Sequence, residues 1–252
     1  MLSYFDTPLG ARLEWPAPRP GGLAGPLETA LLGGTDEVRD KLSRTDALVV
    51  TTGQQPGLFT GPLYTIHKAL SARALARLLE QRWQRPVVPV FWLAGDDHDY
   101  AEAVATHWFG PDGALMSVAL EPRPPEAPQR PMSREPVPAR AVELLAELVT
   151  ALPAGPARDQ TVDWLGRHYR TDSTLAQAFG RSLAEVLGPL GIICFDPTAP
   201  AAKAAAAPIV LAAIRQAAEL DRLLVARAAD LEARALLRAY RPWSRSQEAF
   251  LQ

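Results

Sequence analysis

The strongest pattern of apolar and polar positions is a strand, a helix and a second strand in close succession. Ala47 to Thr52 is a short apolar run that predicts a strand, and the turn-rich Gly53-Gln-Gln-Pro-Gly57 follows it. After Leu-Phe-Thr-Gly-Pro, a helical pattern extends from about Pro62 to Gln84. Gly61 as N-cap with Pro62 in the first helical position predicts where that helix starts. Leu63, Ile66, Leu70, Ala74 and Leu78 recur at helical spacing as its expected apolar stripe. Val87 to Ala94 is almost continuously apolar and ends at Gly95, as a strand covered on both faces should. Pro86 and Pro89 count against a central position, because proline donates no ladder hydrogen bond. The three elements form a βαβ unit with an expected right-handed crossover, so the predicted class is α/β with a parallel sheet.

Elsewhere the pattern is weaker. Pro16 to Gly34 is rich in proline and glycine and is expected to be an irregular lead-in. Two short strand-like runs flank Pro111-Asp112-Gly113, a hairpin turn, and Glu121 to Pro138 is a proline-rich connector. Helical periodicity returns at Ala139 to Leu152 and at Ser173 to Leu187, and Gly191 to Asp196 predicts another apolar strand. Ala201 to about Leu237 is alanine-rich and helical, with Pro208 expected to mark a break or the first turn of a second helix. The expected organisation is a core over residues 1–200, carrying a Pro-rich insert around 110–140, and a helical segment over 201–252.

Composition narrows the functional classes. The chain of 252 residues is 48% apolar and 21% charged, which is globular composition. Its formal net charge of -2 leaves no basic field for a phosphate backbone, so no nucleic-acid role is expected. The single cysteine, Cys194, cannot form an internal disulfide, and its apolar flanks suggest a buried thiol. The first residues carry neither a basic nor an apolar targeting region, and no run of about 18 apolar residues occurs. No membrane partner and a cytoplasmic location are therefore expected. Only Lys41, Lys68 and Lys203 are lysines, which raises the interest of each.

Two segments carry candidate chemistry. Between Gly53 and Gly61, glycines, glutamines and a threonine lie between a strand and a helix N-terminus, where outward N–H groups and the helix dipole favour a carboxylate or phosphate. A structural turn is an equal alternative for that segment by itself, and it is neither a Walker loop nor Gly-x-Gly-x-x-Gly. Tyr64, His67, Lys68 and Ser71 then share one side of the helix at spacings of three and four, although His67 also fits a core histidine and Lys68 a solvated charge. The second segment, Gly95-Asp-Asp-His-Asp99, follows the apolar strand directly, at the carboxyl edge where open parallel sheets bind ligands. General acid/base work by His98, oriented by a neighbouring carboxylate, is the simplest chemistry there. No metal is expected, because four consecutive residues rarely all reach one ion and no partner cluster accompanies them. A metal-dependent hydrolase is the reading so discounted. His107 and His168 are expected to be structural.

Taken together, Thr-Gly-Gln-Gln-Pro-Gly-Leu-Phe-Thr-Gly-Pro-Leu-Tyr-Thr-Ile-His-Lys-Ala and Pro-Val-Phe-Trp-Leu-Ala-Gly-Asp-Asp-His-Asp resemble the bacillithiol biosynthesis cysteine-adding enzymes, the BshC family, over about residues 1 to 233. The resemblance implies a Rossmann-like core with connecting inserts and the start of a helical, coiled-coil region. It implies a ligase that adds L-cysteine to glucosaminyl malate through an amide bond in the last step of bacillithiol synthesis, with ATP and magnesium as the activating cofactor and a homodimer in the full-length form. The matched binding residues are Gly53, Gln54, Gln55, Gly57, Thr60, Gly61, Tyr64, Lys68 and Trp92. Asp97, His98, Asp99 and His67 are the implied catalytic set. Position 97 is often Glu in that pattern, so Asp97 is a conservative departure. Family members are implied to be longer, which makes this chain their N-terminal half, with a tail from Arg234 to Gln252 that leaves the pattern. The alternative is a non-catalytic ligand-binding or assembly fragment of such an enzyme.

Overall fold

A computed structural model describes residues 25–110, 112–124 and 126–233. In chain order the strands and helices are β1 (Leu31–Gly33), α1 (Asp36–Ser43), β2 (Leu48–Gln54), α2 (Tyr64–Trp83), β3 (Val87–Leu93), α3 (Tyr100–Ala103), β4 (Ala105–Phe109), β5 (Leu115–Ala119), α4 (Ala139–Ala151), α5 (Pro156–His168), α6 (Leu175–Leu187), β6 (Ile193–Phe195), α7 (Pro200–Arg215) and α8 (Ala217–Ala233). A four-stranded sheet runs in the order β1-β6-β3-β2. β2 and β6 flank β3 in parallel, with Leu48 opposite Val87 and Val90 opposite Ile193, and β1 closes antiparallel on β6. The predicted α/β class with a parallel core therefore holds. Contacts divide the chain into two compact units, 1–203 and 204–252.

Both faces of β3 are covered, which is why its run reads as continuously apolar. Val88 and Val90 pack with Leu42 of α1 on one face. Phe91 and Leu93 pack with Ala69 of α2 and with Phe179, Leu183 and Leu187 of α6 on the other. Pro89 is tolerated because β6 joins β3 only from Val90 onward, beyond the prolyl nitrogen. A third core forms away from the sheet, where Met132, Leu144, Leu148, Leu165, Tyr169 and Leu175 enclose Leu58 and Phe59 of the glycine-rich turn. The proline-rich connector is tied down by Arg123, which pairs with Glu135 at 2.7 Å and lies 4.7 Å over the Tyr100 ring.

Several expectations change. The buried stripe of α2 is Thr65, Ala69, Ala72, Ala76 and Leu79, not the leucine row. Leu63 is 71% and Leu78 56% exposed. Small side chains let α2 lie close on the sheet, so the face with less apolar bulk turns inward. Helix α2 also starts at Tyr64 with Leu63 as its cap, because Gly61 takes a left-handed φ of 69° and Pro62 belongs to the turn. Part of the expected irregular lead-in is a 3-10 helix, Gly25–Ala30, followed by β1; residues 16–24 lie outside the described residues. Helix α5 was not foreseen, although Gly155 with Pro156 at its first position is a usable start signal. Pro208 does not break α7, which continues to Arg215. The Ala204 carbonyl that Pro208 leaves without a donor is on an exposed residue, where water can serve it.

Candidate functional site

The three parallel strands β2, β3 and β6 end at one edge of the sheet, and their loops carry the polar chemistry. Gly53, the next-to-last residue of β2, lies opposite Trp92, and a Cβ there would meet the Trp92 carbonyl oxygen at 2.6 Å and its Cβ at 2.8 Å. Only glycine lets the two strands run together to this point. From there a chain of hydrogen bonds crosses the edge. Lys68 Nζ donates to Gln54 Oε1 at 3.0 Å, Gln54 Nε2 donates to Gln55 Oε1 at 3.0 Å, and Gln55 Nε2 donates to Glu102 Oε2 at 2.6 Å. The Lys68 ammonium also sits 5.4 Å from the centre of the Tyr64 ring. The glutamines are thus oriented at one end by a cation and at the other by a carboxylate.

The loop that follows is unusually shaped. Phe59, Thr60 and Gly61 all have positive φ, of 52°, 75° and 69°, a region that costs a non-glycine residue energy and persists only where its surroundings impose it. A Cβ on Gly57 would come within 2.8 Å of Gly61 Cα, so the loop closes tightly on itself. Tyr169, at the end of α5, accepts a hydrogen bond from Thr60 N and donates one to the Gly57 carbonyl, each 3.0 Å long.

The acid loop leaves β3 through Gly95, where a Cβ would lie 3.2 Å from both Ala176 and Thr198 side chains. Its backbone is pinned by Ser133 N donating to the Gly95 carbonyl and Met132 N to that of Asp97. Asp97 Oδ1 accepts from Asp99 N at 2.9 Å, and Asp99 Oδ1 caps α3 by accepting from Glu102 N at 3.3 Å. Asp96 pairs with Lys203 at 2.6 Å. After β6, Asp196 Oδ1 accepts from both N and Oγ1 of Thr198, at 2.8 and 2.6 Å.

The sequence-predicted residues are therefore only partly assembled. Gln54, Gln55, Tyr64 and Lys68 meet directly. His98 is exposed on the acid loop, and Asp97 and Asp99 hydrogen-bond backbone amides, so neither holds its ring. His67 is exposed on α2 and is not among the residues bonded to the loop. Trp92, 43% exposed, meets Phe195 with ring centres 4.9 Å apart and planes tilted by 54°, on the face that carries Val88 and Val90. Sequence reasoning missed Glu102, Asp196, Thr198 and Tyr169, and it marked Lys203 without placing it at this edge. Asp196 and Thr198 follow a strand that was predicted, so the rule that pointed to the acid loop also reaches them. Tyr169 left no local signal. Among the other candidates, Cys194 is buried and burial pushes its thiol up to about 12. His168 pairs with Glu185 at 2.7 Å, and the guanidinium of Arg167, with His168, holds the Glu185 carboxyl below its usual value. A cavity of about 520 Å³ opens at the opposite, N-terminal edge between α1 and α2, lined by Lys41, Arg73, Arg77 and Glu80, and none of the predicted residues lines it.

Comparison with known proteins agrees with the two motifs. A family model described as bacillithiol biosynthesis BshC, N-terminal Rossmann-like domain, matches residues 33–248. The match runs through most of the tail that was expected to leave the pattern. Relatives named "Putative cysteine ligase BshC" include those of Prosthecochloris aestuarii, 31% identical over 78% of this chain and 35% of theirs, and Desulforamulus reducens, 34% identical over 73% and 34%. The relative from Solibacter usitatus is 35% identical over 76% of this chain and 35% of its own. The matched segment covers about a third of the length of these curated relatives.

Proposed function

The chain belongs to the BshC family of bacillithiol biosynthesis, as its N-terminal Rossmann-like domain, and on that premise we propose that its carboxyl sheet edge is the substrate site of a cysteine ligase. The reaction joins L-cysteine to glucosaminyl malate in the last step of bacillithiol synthesis. The observation that supports it best is the convergence of the Lys68–Gln54–Gln55–Glu102 chain with the acid loop at one edge. Lys68 and the amides of the Gly53–Gly61 loop hold the malate carboxylates, the fixed partial and full positive charges that such anions need. The sugar amine attacks the carboxyl carbon of cysteine. The C–N bond forms, the bond from that carbon to its activated oxygen breaks with the oxygen leaving on the phosphoryl group that ATP would supply, and the surplus ammonium proton passes to His98. In its neutral form the exposed imidazole offers a lone pair for this proton. Asp97 and Asp99 act on His98 through the backbone, by fixing the loop that carries it.

ATP with magnesium suits the same edge. Among the described residues no three acids are grouped closely enough to hold a metal ion, so the magnesium would arrive on the nucleotide and meet Asp97, Asp99 or Asp196 singly as hard oxygen donors. When bound, ATP supplies the activation of the carboxyl group. The fraction of the relatives' length spanned here supports a second reading, a ligand-binding or assembly part of a longer, homodimeric cytoplasmic enzyme that does not turn over alone. Incubating the chain with L-cysteine, glucosaminyl malate, ATP and magnesium, with mass-spectrometric detection of bacillithiol, separates the two. Product that disappears in His98→Ala, with circular dichroism unchanged, supports the ligase. Full activity of that variant refutes the assignment of His98, and binding of glucosaminyl malate without product supports the second reading.

A further inference from the structure

The glycine-rich loop is not shaped by the sheet that delivers it. Its two apolar residues, Leu58 and Phe59, are buried in the core away from the sheet with Met132, Leu144 of α4, Leu165 of α5 and Leu175 of α6. The Tyr169 ring meets Phe59 edge to face, with centres 5.0 Å apart and planes at 74°. Its hydroxyl bridges the loop, accepting from Thr60 N and donating to the Gly57 carbonyl. The bridge ties Gly57, ahead of the positive-φ turn, to Thr60 within it. Tyr169 is buried, and burial raises its phenol above the ordinary range, so the hydroxyl stays protonated and both bonds persist at working pH.

We infer that Tyr169 is a positioning residue for the anion-holding loop, fixing through one hydroxyl the turn that sets where the loop's remaining amides face a carboxylate ligand. This inference rests on the proposed anion role of the loop. An amide array binds an anion well only when its geometry is set beforehand, since ordering it on binding subtracts from affinity. A β-branched residue such as Thr60 does not hold φ of 75° unaided. The hydroxyl that takes its N–H supplies that restraint, from a helix more than a hundred residues further along the chain. Tyr169 touches no reacting atom.

The test uses the full chain and Tyr169→Phe, which keeps the ring contact with Phe59 and removes only the hydroxyl. Two quantities are measured: amide hydrogen exchange at Thr60 and affinity for L-malate by calorimetry. In the variant, Thr60 should exchange roughly three- to tenfold faster, the range of one typical net hydrogen bond. Malate affinity should fall by a similar factor, while the β6 amides and the far-ultraviolet spectrum stay unchanged. A merely structural tyrosine would lower the melting temperature and leave the affinity of the folded chain alone, and that outcome overturns the inference. Unchanged Thr60 exchange also overturns it. Should the variant not fold, the wild-type chain decides: a Thr60 amide exchanging like an open chain overturns the clamp, and a protected one with exchange slowed further by malate supports it. A wild-type chain that binds no malate overturns the anion role of the loop and the positioning role with it, whereas intact malate binding with normal Thr60 exchange in Tyr169→Phe overturns the clamp alone.

Discussion

Replacing Gly53 with alanine tests the strand junction that feeds the site. The new Cβ would lie 2.6 Å from the Trp92 carbonyl oxygen and 2.8 Å from the Trp92 Cβ. Backbone is one of the two obstacles, so no rotamer change relieves the contact, and β2 must part from β3 where Gly53 faces Trp92. Overpacking of this kind costs about 1–3 kcal/mol. Gly53 has no left-handed φ to lose, so alanine also removes freedom from the unfolded chain and returns about 0.4–1 kcal/mol. The net loss is then centred at about 1.3 kcal/mol, within a range of about 0–2.6, or roughly 3–5 °C in melting temperature at the centre for a domain of this size. Gly166→Ala in α5 is the matched control, since nothing lies within 4 Å of its Cβ position. There, alanine should raise stability by about 0.8–1 kcal/mol from helix propensity. Thermal and urea unfolding by circular dichroism measure both. Gly53→Ala more stable than the parent, with Gly166→Ala stabilising normally, would show that β2 and β3 do not meet as described.

Three further outcomes follow from the packing. Leu183→Ala, at a fully buried position against the sheet, should cost about 2–5 kcal/mol in urea unfolding, and a loss below about 1 kcal/mol would mean that α6 does not cover β3. Thr174 forms a capping box with Gln177 at the start of α6, so Thr174→Ala should cost about 1 kcal/mol, read from the same titration, and no loss would remove the cap. The neutral Cys194 thiol is favoured by the fold, with its ionisation raised from 9.0 to about 12. The native state keeps that proton while the unfolded chain releases it, so this contribution is complete below pH 9 and falls as pH rises toward 12. Stability should therefore drop more steeply between pH 9 and 10.5 in the parent than in Cys194→Val; parallel pH profiles would contradict the burial.

The parallel core was legible because β2, α2 and β3 each carry a strong local pattern, and because Gly95-Asp-Asp-His-Asp99 sits just where such a strand ends. The inward face of α2 was not legible from apolarity. Ala69, Ala72 and Ala76 win the buried side by being small, leaving Leu63 and Leu78 outside. Strand β1 is only three residues long and owes its existence to pairing with β6, a long-range contact without local pattern. At the site, the amides and charges near Gly53 to Lys68 could be read from spacing. The carboxylate that holds Gln55 and the hydroxyl that holds Thr60 could not, since Glu102 and Tyr169 reach the loop from 47 and 109 residues away.

The central claim is that ligand binds at the carboxyl edge of the sheet. Amide chemical shifts of the isotope-labelled chain, followed as glucosaminyl malate is added, test this most directly. The account predicts saturable shifts at Gly53, Gln54, Gln55, Thr60, Gly61 and at Asp97 to Asp99, with residues around Lys41 and Arg77 at the opposite edge unmoved. Shifts confined to Lys41, Arg73 and Arg77, with the Gly53–Gly61 loop silent, would contradict it.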